Sequence, residues 1–95
     1  MLLIREVFTA KPGQAGKLAR KMRDIATEFG WGDVRVMTDL IGKMNTVVME
    51  TQIPDLLTFE QRMAGYATDE RLHERMAGYT DMYSHGRREI FQITE

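Results

Sequence analysis

Four charged side chains carry the most chemistry this sequence can offer: Arg5, Arg35, Glu50 and Arg88. Each lies in a stretch that alternates in character, as a strand does when its two faces look at different surroundings. If the alternation holds, all four project to one sheet face. Guanidinium forks around one carboxylate can hold a carboxylate or phosphate ligand, with Glu50 as base or orienting group. The same four can instead close on one another as an ion-pair network that sets how two sheets register. The residues alone leave both readings open. His73 and His85 are the only imidazoles, and no H-x-H or H-E-x-x-H spacing specifies a metal, so no metal site is expected. His73 adjoins the apolar positions Leu72 and Met76. It is either structural, or a general base or axial haem ligand facing a pocket between helix and sheet. His85 falls at a predicted helix end, where a cation suits the dipole. No Ser-His-Asp order, glycine-rich phosphate loop or paired-carboxylate spacing is present.

Composition narrows the classes. The 95 residues are expected to form one domain over 1–95, whose small core would gain from dimerisation. Apolar residues make up 43% and charged residues 28%, which is too hydrophobic for a disordered chain. Net charge is -1, against a nucleic-acid partner. The chain has no cysteine, which removes disulfides and thiolate chemistry and is compatible with a reducing compartment. Met1 to Ile4 is apolar, but Arg5 and Glu6 follow at once, and no stretch approaches the roughly 20 apolar residues of a membrane span. These features predict a soluble, cytoplasmic-type protein without a membrane partner.

The elements that must position these residues are set by periodicity. Leu2 to Ala10 reads as a strand with Leu2, Ile4 and Phe8 on one face and Glu6 as the exception; Lys11-Pro12-Gly13 ends it. Ala15, Leu18, Met22, Ile25, Ala26 and Phe29 form one stripe of a helix over 14–29, closed by Gly30. Its basic residues, Lys17, Arg20, Lys21 and Arg23, lie off the stripe as a solvated face, since no aromatics interleave them as nucleic-acid binding would favour. Val34 to Ile41 and Met44 to Ile53 read as an antiparallel hairpin about a short turn at Gly42. Pro54-Asp55 starts a helix with Leu56, Phe59, Met63 and either Tyr66 or Ala67 on its stripe, and Asp69 caps another over 70–83. Arg87 to Thr94 is a last strand. The pentapeptide R-M-A-G-Y occurs at 62–66 and again at 75–79, a coincidence or a local duplication. Trp31 is read as an anchor at the sheet edge, and Tyr66, Tyr79 and Tyr83 as core residues whose hydroxyls reach the rim.

The order β-α-β-β-α-β, with the second helix in two pieces, predicts an α+β ferredoxin-like fold: a four-stranded antiparallel sheet with helices on one face. Leu2, Ile4, Phe8, Val34, Val36, Val47, Met49, Phe91 and Ile93 are assigned to the helix side. The other face then carries Arg5, Val7, Arg35, Met37, Asp39, Val48, Glu50, Arg88 and Ile90. Such a face is too apolar for water alone and too charged for a dry core. It suits a homodimer formed by packing sheet against sheet. An ordinary solvent-facing sheet is the alternative.

The chain also resembles a known family. An Ile4-Arg5-Glu6 strand runs into Lys11-Pro12-Gly13 before a helix. The segment Ile41-Gly42-Lys43-Met44-Asn45-Thr46-Val47-Val48 has a Gly, a spacer, Asn and an apolar strand. Asp55-Leu56 opens a helix containing Arg62, followed by Asp69 to His73 and an Arg88-Glu89-Ile90 strand. Across nearly its whole length the sequence is similar to the NIPSNAP-like family of the dimeric α/β-barrel superfamily. The resemblance implies ferredoxin-like protomers paired into a barrel. It implies no single reaction, because the superfamily includes cofactor-free monooxygenases, haem proteins, lactone isomerases and modules without assigned activity. The expected function is a small homodimeric ligand-binding or regulatory module without a cofactor, with a monooxygenase-type or haem-handling enzyme as the alternative.

Overall fold

The computed structural model describes residues 1–95. Its centre is β1 (Leu2–Ala10), which is hydrogen-bonded on both sides. The sheet order is β2-β3-β1-β4, all pairs antiparallel, with β2 at Arg35–Thr38, β3 at Thr46–Ile53 and β4 at Tyr83–Gln92. The helices are α1 (Ala15–Glu28), α2 (Leu56–Thr68) and α3 (Glu70–Met76), followed by a 3-10 turn over Tyr79–Met82. This is the ferredoxin-like α+β arrangement the element order predicts. No helix is long and apolar enough to cross a membrane.

The α1 stripe makes the core. Leu18, Met22 and Ile25 are sealed from solvent, and Leu18 and Met22 pack with the inward side chains Phe8, Ala10 and Val47 of the sheet. Each of the larger of these side chains contributes about 1.5–3 kcal/mol by burial. The C-terminal end of α1 is closed tightly. The Gly30 N–H donates to Thr27 O and the Trp31 N–H to Ala26 O, with Gly30 at φ 63, which is the Schellman closure. That closure fixes where the Trp31 side chain enters the fold.

Both predicted aspartate caps are present. The Asp55 carboxylate accepts from the Thr58 N–H at 2.8 Å, and the Asp69 carboxylate accepts from the Leu72 N–H at 3.0 Å. The last helix is shorter than its periodicity predicts. It stops at Met76 because Gly78 turns left-handed at φ 84, and β4 begins four residues before Arg87. The β2–β3 connection is also longer than a tight turn. It spans 39–45, with Asn45 at φ 65 and the Asp39 carboxylate accepting from the Thr46 N–H at 2.9 Å. Leu40 and Ile41 at its tip are almost fully exposed.

Candidate functional site

The two faces of the sheet hold different kinds of site. On the open face, Glu50 of β3 stands between Arg5 of β1 and Arg35 of β2, directly opposite both in register. Cross-strand neighbours on one face sit close enough for their side chains to meet. Arg5 holds Glu50 Oε1 through Nε at 2.9 Å and through a terminal nitrogen at 2.7 Å; Arg35 holds Oε2 at 3.0 Å. Glu50 is the one buried charged residue, 6% exposed. The Arg5 hydrogen bond lowers its carboxyl below the usual carboxylate value; desolvation opposes this and Arg35 adds to it. A carboxylate held ionised with both oxygens occupied is a structural anchor and a poor proton acceptor. The expected role of Glu50 as a base is therefore not what this geometry provides. The Arg5 guanidinium also lies 5.7 Å from the Phe91 ring centroid.

Arg88 is not part of that network. It pairs instead with Glu6 on the helix side of the sheet, its direct partner in register, and its guanidinium lies 5.1 Å from the centroid of Phe59 on α2. The assignment of β4 is thus reversed: Phe91 faces the open side with Leu3, while Arg88 and Ile90 share the face of Glu6 and Ile4. The physical reason is that β4 is an edge strand, largely exposed on both faces, so apolar residues along it do not mark the inward side. The pairing explains why a glutamate interrupts the apolar face of β1.

Above Glu6 and Arg88 lies a cleft of about 660 Å³ between the sheet and α2 and α3. No residue of α2 is buried. Its stripe of Phe59, Met63 and Tyr66 lines this cleft where a closed core was expected. Trp31, positioned by the end of α1, lies with its ring 5.1 Å from that of Tyr66. Burial raises the Tyr66 phenol above its usual value, and the nearby Arg62 partly opposes the rise. Tyr83 is raised by burial and by the neighbouring Tyr79, 5.7 Å away ring to ring.

His73 also lines the cleft. Its Nε2 is 2.8 Å from the Tyr66 carbonyl oxygen. A carbonyl only accepts, so Nε2 carries the proton of this bond. This bond ties α3 to α2 and occupies the nitrogen that haem ligation through Nε2 would require. His85, paired across β1 with Thr9, lies in β4 and not at a helix end. No group of three or more His, Asp or Glu side chains converges as a metal site would need.

Of the five residues singled out from sequence, Arg5, Arg35 and Glu50 come together, while Arg88 and His73 belong to the cleft. The residues that sequence reading undervalued are Glu6, Trp31, Arg62 and Tyr66. Glu6 had a visible signal, a charge on an apolar strand face, the same anomaly that marked Glu50. Arg62 was marked only by its place in the family pattern, because one arginine on a helix otherwise reads as solvated.

No family model matches the sequence, and no curated protein matches it. Solved structures do. A NIPSNAP family protein from Agrobacterium tumefaciens superposes with a TM-score of 0.85 at 14% identity, covering 99% of this chain and 93% of that one. An uncharacterized NIPSNAP domain protein from Burkholderia xenovorans gives 0.83 at 16% identity, covering 99% and 95%. An antibiotic biosynthesis monooxygenase gives 0.72 at 12% identity, covering all of both chains. The resemblance drawn from sequence motifs is thus matched in three dimensions: the chain has the ferredoxin-like fold of NIPSNAP family proteins.

Proposed function

We propose that this NIPSNAP-like protein is a homodimeric module that binds a small molecule in the cleft of each protomer. The observation that carries the reading is the cleft itself. Two-thirds of its lining residues, 14 of 21, are hydrophobic, and its volume lies within the roughly 300–1,000 Å³ of small-molecule sites. Polar groups are few and placed at its rim and floor: Glu6 with Arg88, Arg62, Tyr66 and His73. Ligand binding is tested by titration with prodan, a flat neutral naphthalene dye. Saturation at one dye per protomer is expected; a rise in emission that never saturates contradicts the reading.

The homodimer is supported by the opposite face. Met37 is 39% and Phe91 45% exposed there, beside the Arg5–Glu50–Arg35 layer, and the apolar tip at Leu40 and Ile41 projects uncovered. A second copy packed sheet to sheet covers this surface and keeps the charges paired. Light scattering at micromolar concentration is expected to give twice the 11.0 kDa chain mass; a monomer contradicts it. The cysteine-free composition suits a reducing, cytoplasmic compartment.

A second reading, cofactor-free oxygenation within the same cleft, is favoured by the fold shared with the antibiotic biosynthesis monooxygenase. An oxygen electrode run with quinols and reactive phenols separates the two. Oxygen uptake that falls in His73→Ala identifies an enzyme; a flat trace identifies a binding module.

A further inference from the structure

The proposal that the cleft holds a small molecule leaves the ligand's chemistry open, and the charges lining the cleft narrow it. Five lining side chains can carry charge: Glu6, Arg62, His73, Arg87 and Arg88. Glu6 and Arg88 neutralise one another. Arg87 stands opposite Val7 in register, on the open face, and its ionic neighbour is Glu89 at 3.6 Å. His73 is exposed and already commits its Nε2–H to the Tyr66 carbonyl. Arg62 is left. It is partly buried, and no carboxylate comes within ion-pair distance of it.

An arginine partly buried beside apolar walls, with no counter-charge, can receive an anion. Its planar fork matches a carboxylate or sulfonate. Tyr66 lies one helical turn further along α2, on the same side, so its hydroxyl can donate to the same group. One cation without a glycine-rich loop suits a single negative charge better than a phosphate dianion. The rest of the lining specifies the body of the ligand. Aromatic rings come from α2, from the end of α1 and from the sheet, and Met22, Met49, Met63 and Met76 supply adaptable surface between them. Rings favour offset or edge contacts with other flat rings.

We infer that the cleft takes a flat aromatic monoanion, with the acid group held by Arg62 and Tyr66 and the ring system lying against the methionines and aromatics beneath. This inference rests on the proposed binding role of the cleft and adds the ligand's charge and shape. Neutral flat molecules still enter, but more weakly, and cations are repelled.

The test is titration calorimetry at fixed ionic strength with naphthoate, its neutral counterpart naphthalenemethanol, and decanoate as an acid without rings. The intact protein is expected to bind naphthoate about 10-fold more tightly than the alcohol, the strength of a partly exposed charge-assisted pair. Decanoate is expected to bind more weakly than naphthoate. Arg62→Met, which keeps the stem length, should abolish the preference for the acid while retaining the alcohol affinity; Arg62→Lys should restore part of it. Retained alcohol binding shows that the variant is folded. Equal affinity for acid and alcohol in the intact protein, or a preference that survives Arg62→Met, overturns the assignment of the acid to Arg62 and leaves the cleft a general apolar site. Decanoate binding as tight as naphthoate overturns the aromatic part. Absence of heat with every probe overturns the cleft as a binding site altogether, and this inference with it.

Discussion

The two faces of one sheet treat charge in opposite ways. On the open face, Glu50 is buried and closed on both sides by Arg5 and Arg35, so the network is complete within the protomer. On the helix face, Glu6 and Arg88 close on each other, while Arg62 above them has no partner. A completed network sets geometry; an incomplete one leaves a cation free to pair. On that contrast rests the proposal of assembly through the open face and binding in the cleft, although the open face carries the denser cluster of arginines.

The comparison breaks most visibly if the open face is disabled. Phe91→Glu places a negative charge where the partner sheet would lie. Because Phe91 is 45% exposed, the change costs a lone protomer little. Light scattering should show loss of the dimer, with probe binding in the cleft retained. A dimer that persists removes the open face as the interface.

Stability separates the faces next. Glu50→Gln strips the carboxylate from two guanidiniums and should cost about 2 kcal/mol in urea unfolding, below the value for a fully buried pair because both arginines reach solvent. Arg62→Met breaks no pair and should shift stability by under about 0.5 kcal/mol. Equal costs at the two positions contradict the contrast.

The pH dependence differs in direction. The folded-state value of Glu50 is depressed from 4.5, so its stabilisation is complete above that pH and lost as pH falls through the folded value. Acid unfolding of the intact protein should therefore be steeper than that of Glu50→Gln. The Tyr66 phenol is raised from 10.0, so it contributes below that pH and its contribution is lost as pH climbs through the folded value. Alkaline unfolding should be milder in Tyr66→Phe, followed by circular dichroism.

The smallest effects come from the repeated pentapeptide. Gly65 lies within α2 with open space at its Cβ position, so Gly65→Ala should stiffen the cleft wall and stabilise by about 0.5–1 kcal/mol. Gly78 sits at φ 84, so Gly78→Ala should destabilise by about 1 kcal/mol. Thermal melts of both variants check the opposite signs.

Those two glycines also show what the sequence could and could not display. R-M-A-G-Y is helical at 62–66, yet at 75–79 it straddles a helix end and its glycine turns left-handed. Five identical residues cannot distinguish the two; the contacts made by the chain beyond them do. Periodicity placed β1, α1, both aspartate caps and the strand order's raw material, because each rests on local spacing. The parity of β4 was not legible, since an edge strand lacks a buried face to enforce it. Glu50 was legible through its two neighbours at matching strand positions. Arg62 was not, because its meaning depends on the absence of a partner, which only the fold reveals. Trp31 reaches the cleft through a helix closure whose glycine was visible but whose direction was not.

The most direct test uses Trp31, the only tryptophan, which lines the cleft. Energy transfer from Trp31 to prodan should be strong and saturate at one dye per protomer, and Ala67→Phe, which narrows the cleft, should weaken it. Bound dye that draws no energy from Trp31, or binding indifferent to Ala67→Phe, would contradict the assignment of the ligand to the cleft.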